Sequence, residues 1–196
     1  MNHTPDFFDA IRSAASNRWD QLENDPELAA PWHQLFQQIQ SPRHIFSELL
    51  QNADDAGATE VNVQAQDNRF EFVHNGSDFT KEQFQSLCRF GYSNKRTLHT
   101  IGFRGIGFKS TFSLGDRVDI CTPTLSVYFN RKRFTEPILS DTDLRLDGKT
   151  CISVEISDNY RQKEIKKNLD SWIKSPHSLL FFNNIRRVKI NETDLD

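Results

Sequence analysis

Residues 48–57 read Glu48-Leu49-Leu50-Gln51-Asn52-Ala53-Asp54-Asp55-Ala56-Gly57. Ser41-Pro42 upstream predicts the start of a helix through this stretch, with Ile45, Phe46, Leu49, Leu50 and Ala53 as its inward face. Gly57 supplies the residue type that commonly ends a helix in a left-handed conformation. Glu48, Asn52 and Asp55 follow each other at spacings of four and three, so they share one helical stripe. Leu49, Ala53 and Ala56 flank that stripe closely, so it is not obviously the outermost one. Two readings stay open for it: a solvated polar face, or one wall of a polar site. Asn is a weak helix former, and its place in mid-helix hints at a role.

Working outward, Thr59–Ala65 and Arg69–His74 read as two strands joined by the turn Asp67-Asn68. Thr80 can cap a helix running through Arg89, with Glu82 in its first turn. Residues 91–107 are loop-like and glycine-rich, and a short helix follows from Phe108 to Leu114. Arg117–Thr122, Leu125–Asn130 and Thr150–Ile156 read as strands, Asn159–Ser175 as a helix and Arg186–Ile190 as a final strand. Upstream, a helix is expected over residues 5–17 with Pro5 at its first position. A second opens at Asp25-Pro26, with Leu28, Trp32, Leu35, Phe36 and Ile39 as its apolar stripe. The order predicts an α+β domain, a two-layer sandwich with helices on one face of a mixed β-sheet. Residues 1–40 would be a helical extension packed on the domain, and residues 41–196 the domain itself.

The chain has 196 residues, enough for one sizeable core. Its 16 Phe residues suit a sheet covered by helices. A net charge of -3 gives no bulk sign of nucleic-acid binding. No apolar run reaches the roughly 18 residues of a membrane span, and the first residues lack the regions of a signal peptide. Cys88, Cys121 and Cys151 are scattered without a CxxC pair. They read as buried thiols in a reducing, cytoplasmic setting.

Three further features carry chemistry. Gly102-Phe103-Arg104-Gly105-Ile106-Gly107-Phe108-Lys109-Ser110 leads into the short helix. Its glycines let backbone N–H groups approach phosphate oxygens, although the spacing is not that of a Walker A loop. A tight turn is the alternative. His74-Asn75-Gly76-Ser77-Asp78-Phe79 links a strand to a helix, and Gly148-Lys149-Thr150-Cys151-Ile152 opens a late strand. Both also read as ordinary turns.

Together and in this order, the four features resemble the nucleotide site of the GHKL family, named for gyrase, the heat-shock-ninety chaperones, histidine kinases and MutL. The stretch "ELLQNADDAGA" resembles the family's N-box as sacsin-like and NO VEIN-like proteins carry it. "HNGSDF" at 74–79 resembles the first glycine motif, and "GYSNK" at 91–95 the start of the ATP lid. "IGFRGIGFKS" at 101–110 resembles the second glycine motif, and "GKTCI" the late Gly-x-Thr strand. The resemblance covers about residues 40–190.

It implies a Bergerat-type fold that binds ATP and Mg²⁺. Glu48 would be the general base for the attacking water, and Asn52 would offer its carbonyl oxygen to Mg²⁺. Asp55 would support the adenine end and Thr150 its water network. The backbone at Gly102, Gly105, Ile106, Gly107 and Phe108, with Lys109, would cradle the phosphates. Ser93 and Lys95 would sit on the lid, and Asn75 and Gly76 in the first glycine motif. Many relatives place Asp, an acceptor for the adenine amino proton, where this chain has His74; a neutral imidazole accepts only in the right tautomer. The implied activity is slow ATP hydrolysis that drives dimerisation or rearrangement of attached domains, in chaperone-like work or a bacterial defence system. Binding without turnover, as a nucleotide-sensing scaffold, is the competing reading. A histidine kinase is disfavoured because no phospho-acceptor helix precedes the N-box, and a MutL-like role because "GIGF" stands where that branch has "GEAL". Further domains or subunits of a larger protein, and an ATP-dependent dimer, are the expected partners.

Overall fold

A computed structural model describes residues 4–38, 42–89, 108–141, 146 and 148–195. Among the described residues, five α-helices and eight strands follow in the order α1 (Phe8–Asn24), α2 (Pro26–Gln38), α3 (Ile45–Asp55), β1 (Glu60–Gln66), β2 (Arg69–His74), α4 (Lys81–Leu87), β3 (Arg117–Cys121), β4 (Ser126–Asn130), β5 (Ile138–Leu139), β6 (Thr150–Glu155), α5 (Asn159–Lys174), β7 (Arg187–Ile190) and β8 (Thr193–Leu195). The strands form one sheet in the order β5-β4-β3-β6-β2-β1-β7-β8. All neighbours run antiparallel except β1 and β7, which are parallel. The expected α+β sandwich with a mixed sheet is the fold observed.

Alternation gives the sheet one dry face. Val61, Val63 and Ala65 on β1 stand beside His74, Phe72 and Phe70 on β2. These in turn stand beside Thr150, Ile152 and Val154 on β6, and all nine are buried. Val118 and Ile120 of β3 and Val127 and Phe129 of β4 continue the same rows. The opposite face is polar, with Arg69 paired to Glu71 and the Arg117 guanidinium over the Tyr128 ring. α3 covers the dry face through Leu49, Leu50 and Ala53, and Phe46 meets Phe72 edge-on. Trp172 of α5 packs edge-on against Phe46 from the other side. Only a residue without a side chain fits at position 115: a Cβ there would lie 2.1 Å from the carbonyl oxygen of Glu155.

Local chemistry explains most boundaries. Asp67 and Asn68 both take positive φ, the requirement of a two-residue hairpin between right-twisted strands. Gly57 has φ +73°, its N–H reaches the Asp54 carbonyl, and the Ala58 N–H reaches Ala53, a Schellman ending for α3. Thr80 and Gln83 form a reciprocal capping box at the start of α4. The Asp25 carboxylate accepts the N–H groups of Glu27 and Leu28 at the start of α2.

Several expectations need correction. α1 runs over Phe8–Asn24 rather than 5–17, because Ile11, Ala15, Trp19 and Leu22 carry a buried stripe past residue 17. Pro5 precedes it, its carbonyl accepting the Phe8 N–H. Leu28 of α2 is 57% exposed and Ala29 is buried, while the burial of Trp32, Leu35, Phe36 and Ile39 lies outside what is described. Pro42–His44 is a 3-10 turn ahead of α3, and Phe108–Ser113 is 3-10 throughout. Cys88 and Cys121 are buried, but Cys151 is only partly so. The short edge strands β5 and β8 were not foreseen.

α1 lies against the domain at both ends. Phe8 meets Phe84 of α4, and the Arg18 guanidinium donates to the Cys88 carbonyl at 2.7 Å. Trp19 Nε1 donates to Thr135 Oγ1 at 2.9 Å, and its ring meets Phe134 edge-on. Arg133 gathers Asp20 and Glu23 of α1 with Glu136. Replacing Trp19 by Ala should therefore destabilise the chain by about 3–5 kcal/mol, from lost burial and an orphaned Thr135 hydroxyl. A urea midpoint equal to that of the wild type would show that α1 contributes nothing to the core.

Candidate functional site

The polar stripe foreseen on α3 faces away from the core. Asn52 and Asp55 are exposed and Glu48 is half-buried, while Leu49, Leu50 and Ala53 point to the sheet. The next position inward, Asp54, is buried and was not foreseen as important. Its Oδ1 accepts the N–H groups of Asn184 at 2.7 Å and Ile185 at 3.0 Å, and its Oδ2 that of Asn183 at 3.1 Å. The Asn184 amide donates back to the Asp54 carbonyl. One carboxylate thus bolts the end of α3 to the segment before β7. Asp54 follows Phe46 and Leu50 at spacings of four, which puts it on the inward side, but nothing in the sequence names its partners at residues 183–185.

The segment 74–80 packs against the same helix end. The Ser77 N–H and hydroxyl both donate to the Ala56 carbonyl, at 2.9 and 3.0 Å. A Cβ at Gly76 would fall 2.9 Å from Ala56 Cβ and 3.0 Å from the Ala56 oxygen, so glycine is what permits this approach. Asn75 Oδ1 accepts the N–H groups of Thr59 and Glu60, tying the loop to the start of β1. Asp78 Oδ2 accepts from the Thr124 backbone and hydroxyl, tying it to the β3–β4 turn. Every residue from 75 to 78 is therefore pinned, and the loop is set before any ligand arrives.

His74 and Thr150 are direct partners across β2 and β6, both buried, in the last inward row of these strands. His74 Nδ1 accepts the Gly76 N–H at 3.1 Å. Burial alone lowers the His74 pKa to about 4, so the ring is neutral at ordinary pH.

Phe108 and Lys109 turn inward. Phe108 packs on Phe112 and Phe129, and Lys109 is 3% exposed, its Nζ donating to the Arg89 carbonyl at 2.5 Å. Burial pushes the Lys109 pKa down to about 8. The 3-10 turn that carries them packs against α3. Ser93, Lys95, Gly102, Gly105, Ile106 and Gly107 lie outside the described residues. The structure thus brings Glu48, Asn52 and Asp55 onto one outward stripe, sets the 74–77 loop against the end of that helix, and pairs His74 with Thr150.

The donor set suits the nucleotide that the motifs imply. An amide oxygen and carboxylates on the open side of α3 are hard ligands of the kind Mg²⁺ takes. Among the described residues no cluster of three His, Cys, Asp or Glu could hold a metal by itself. No helix among them is long and apolar enough to cross a membrane.

Two changes test this geometry. Asp54→Ala should cost about 2–4 kcal/mol by stranding the buried Ile185 N–H and the part-buried N–H groups of Asn183 and Asn184, and Asp54→Asn should cost less. Equal urea midpoints for all three proteins would remove the bolt from the argument. The second test is pH. The folded ring resists protonation down to about 4 and the unfolded ring only to 6.5, so the unfolded chain binds the extra proton between those values. Stability is fully retained above pH 6.5 and falls as pH drops towards 4, by up to about 3 kcal/mol. In His74→Gln that part of the stability curve should flatten.

Comparison with known proteins agrees with the motifs. A family model described as histidine kinase-, DNA gyrase B- and HSP90-like ATPase matches residues 40–144. Human sacsin is 26% identical over 153 aligned residues, which cover 68% of this chain and 3% of sacsin. The chain thus spans a small fraction of that relative's length.

Proposed function

The chain belongs to the histidine kinase-, DNA gyrase B- and HSP90-like ATPase family, an ATP-binding domain by that membership, and we propose that it binds ATP with Mg²⁺ and hydrolyses it slowly. The observation that carries this reading is the outward stripe of Glu48, Asn52 and Asp55 beside a pinned 74–78 loop.

Asn52 would hold Mg²⁺ through its amide oxygen, and the ion would offset charge on the phosphate oxygens. Glu48, one helical turn earlier, would orient the attacking water and take its proton. Asp55, one turn later, would support the base end, with Thr150 holding its water network. Gly76 lets the loop close on α3, so the base end is fixed by backbone contacts. The glycines at 102, 105 and 107 would contribute N–H groups to the phosphates. Lys109, whose Nζ donates to the Arg89 carbonyl, would reach the phosphates only by leaving that partner. Turnover would drive rearrangement of attached domains or a dimer, in chaperone-like or defence work.

Calorimetric titration with a non-hydrolysable ATP analogue, with and without Mg²⁺, tests the binding step. Asn52→Ala should abolish the Mg²⁺-dependent part while the circular dichroism spectrum stays unchanged. Unaltered Mg²⁺-ATP affinity in that folded variant would sink the metal assignment. Glu48→Ala should keep binding and lose about 10²- to 10⁴-fold in turnover. Tight binding by the wild type with no turnover would replace hydrolysis by a sensing role.

A further inference from the structure

The basic residues of this chain are unevenly placed. Residues 159–190 hold eight Lys and Arg against two Asp and Glu, in a chain whose net charge is -3. The near-neutral total therefore hides a local excess. Half of these cations lie on one side of α5. Burial of Ile165 and Leu169 fixes the side of that helix that faces the core. On the opposite side Lys163, Lys166, Lys167 and Lys174 are exposed beside Tyr160, with Asp170 as the acid among them. None of the four lysines makes an ion pair with another described residue. The arginine of this helix, Arg161, is paired to Asp158.

Past α5 the chain turns through Pro176–Phe181. Leu179 and Phe182 pack against the core, and the Phe182 N–H donates to the Leu179 carbonyl at 3.2 Å. Between these two anchors, Leu180 and Phe181 are 83% and 81% exposed. The chain beyond them is also held. The Asp54 carboxylate accepts the Asn183 and Asn184 N–H groups, and Arg186 Nη2 donates to the Asn183 carbonyl at 2.7 Å. Two large apolar side chains are thus fixed in water at the tip of an anchored turn. Lys174 precedes them in the last turn of α5, and Arg186 follows. Polar side chains would serve a simple turn equally well, so the pair marks a surface made to be covered.

We propose that the Leu180–Phe181 tip, with the lysine line of α5 that leads to it, is a docking surface for an anionic lipid bilayer. The apolar pair enters the boundary between headgroups and acyl chains, and the cations on either side of it meet lipid phosphates. The lysines farther along α5 add attraction over the screening distance. No described helix can cross a membrane, so the chain lies on the bilayer, and two apolar side chains make that binding reversible. Two features favour a bilayer over a nucleic acid. Leu180 offers no ring on which a base could stack. The free cations of α5 are lysines, point charges without the forked geometry of a guanidinium. Neither the tip nor the lysine line uses a residue of the nucleotide motifs.

The test is co-sedimentation with phosphatidylcholine vesicles, with and without about one-third phosphatidylserine. The wild type should bind the anionic vesicles, spare the neutral ones, and bind less as salt rises. Leu180→Ser with Phe181→Ser should weaken binding by about tenfold or more, and its urea midpoint should not fall, because both side chains are exposed. Lys163→Gln and Lys167→Gln should each cost about fivefold, the equivalent of roughly 1 kcal/mol per lysine at the surface. No binding to anionic vesicles, equal binding to neutral ones, or full binding by the serine variant overturns the proposal. Binding of a single-stranded oligonucleotide without vesicle binding overturns it in favour of a nucleic acid. A dimer that the serine variant dissolves, again without vesicle binding, overturns it in favour of a second copy of the chain.

Discussion

The last turn of α3 is the joint on which the site depends. Asp54 takes three backbone N–H groups from residues 183–185, and Ala56 takes two donors from Ser77. The Schellman ending at Gly57 fixes the direction in which the chain leaves. Three segments distant in sequence therefore meet within one helical turn. Hydrogen bonds to an ionised acceptor are stronger than neutral ones, and the N–H groups they satisfy have few other partners once buried. Asn52 and Asp55 lie within a turn of this joint, so their outward positions follow from it. A helix held only by its apolar face could slide or rotate by a fraction of a turn; one bolted at Asp54 cannot.

The sheet supplies the second constraint. Its inward rows are apolar until the row of His74 and Thr150, where two polar side chains occupy core-facing positions. Buried polar groups are costly unless they have partners. His74 has one in the Gly76 N–H, provided by the same loop that closes on Ala56. The polar row and the joint are thus parts of one arrangement. The glycine that permits the close approach also supplies the N–H that His74 Nδ1 accepts.

Much of this was legible in the sequence, and the limits are physical. The Asp67-Asn68 hairpin, the Gly57 ending, the Thr80 cap and the strands of the central sheet depend on local chemistry, which a sequence states directly. The stripe of Glu48, Asn52 and Asp55 follows from helical geometry alone. What it did not state was orientation set by distant partners. Asp54 shares the inward row of Phe46 and Leu50, but no local pattern records the donors at residues 183–185 that satisfy it. Lys109 follows a glycine motif and reads as a phosphate ligand, yet its ammonium finds the Arg89 carbonyl. The 3-10 form of 108–113 and the two-residue strand β5 depend on packing against neighbours rather than on propensity. α1 exceeded its expected length because its stripe finds apolar partners on α4 and after β4, which the first 17 residues do not reveal.

The contacts of Lys109 lead to a last step. Arg89 and Lys109 flank residues 90–107, and a part-buried bond from the Lys109 ammonium to the Arg89 carbonyl joins them. An ammonium donating to a carbonyl makes a charge-assisted bond, which offsets part of the cost of taking the Lys109 side chain out of water. The adjoining carbonyl, of Cys88, accepts from Arg18 on α1. Lys109 also lies over the Phe134 ring, 6.0 Å from its centre, and that ring meets Trp19 of α1. The root of the segment and the N-terminal helix therefore share one cluster of side chains. Displacing the root would strain the contacts of Arg18 and Trp19, and loss of α1 would expose the Lys109 bond to water. The helix that precedes the nucleotide motifs is thereby mechanically part of the site, although none of its residues belongs to a motif.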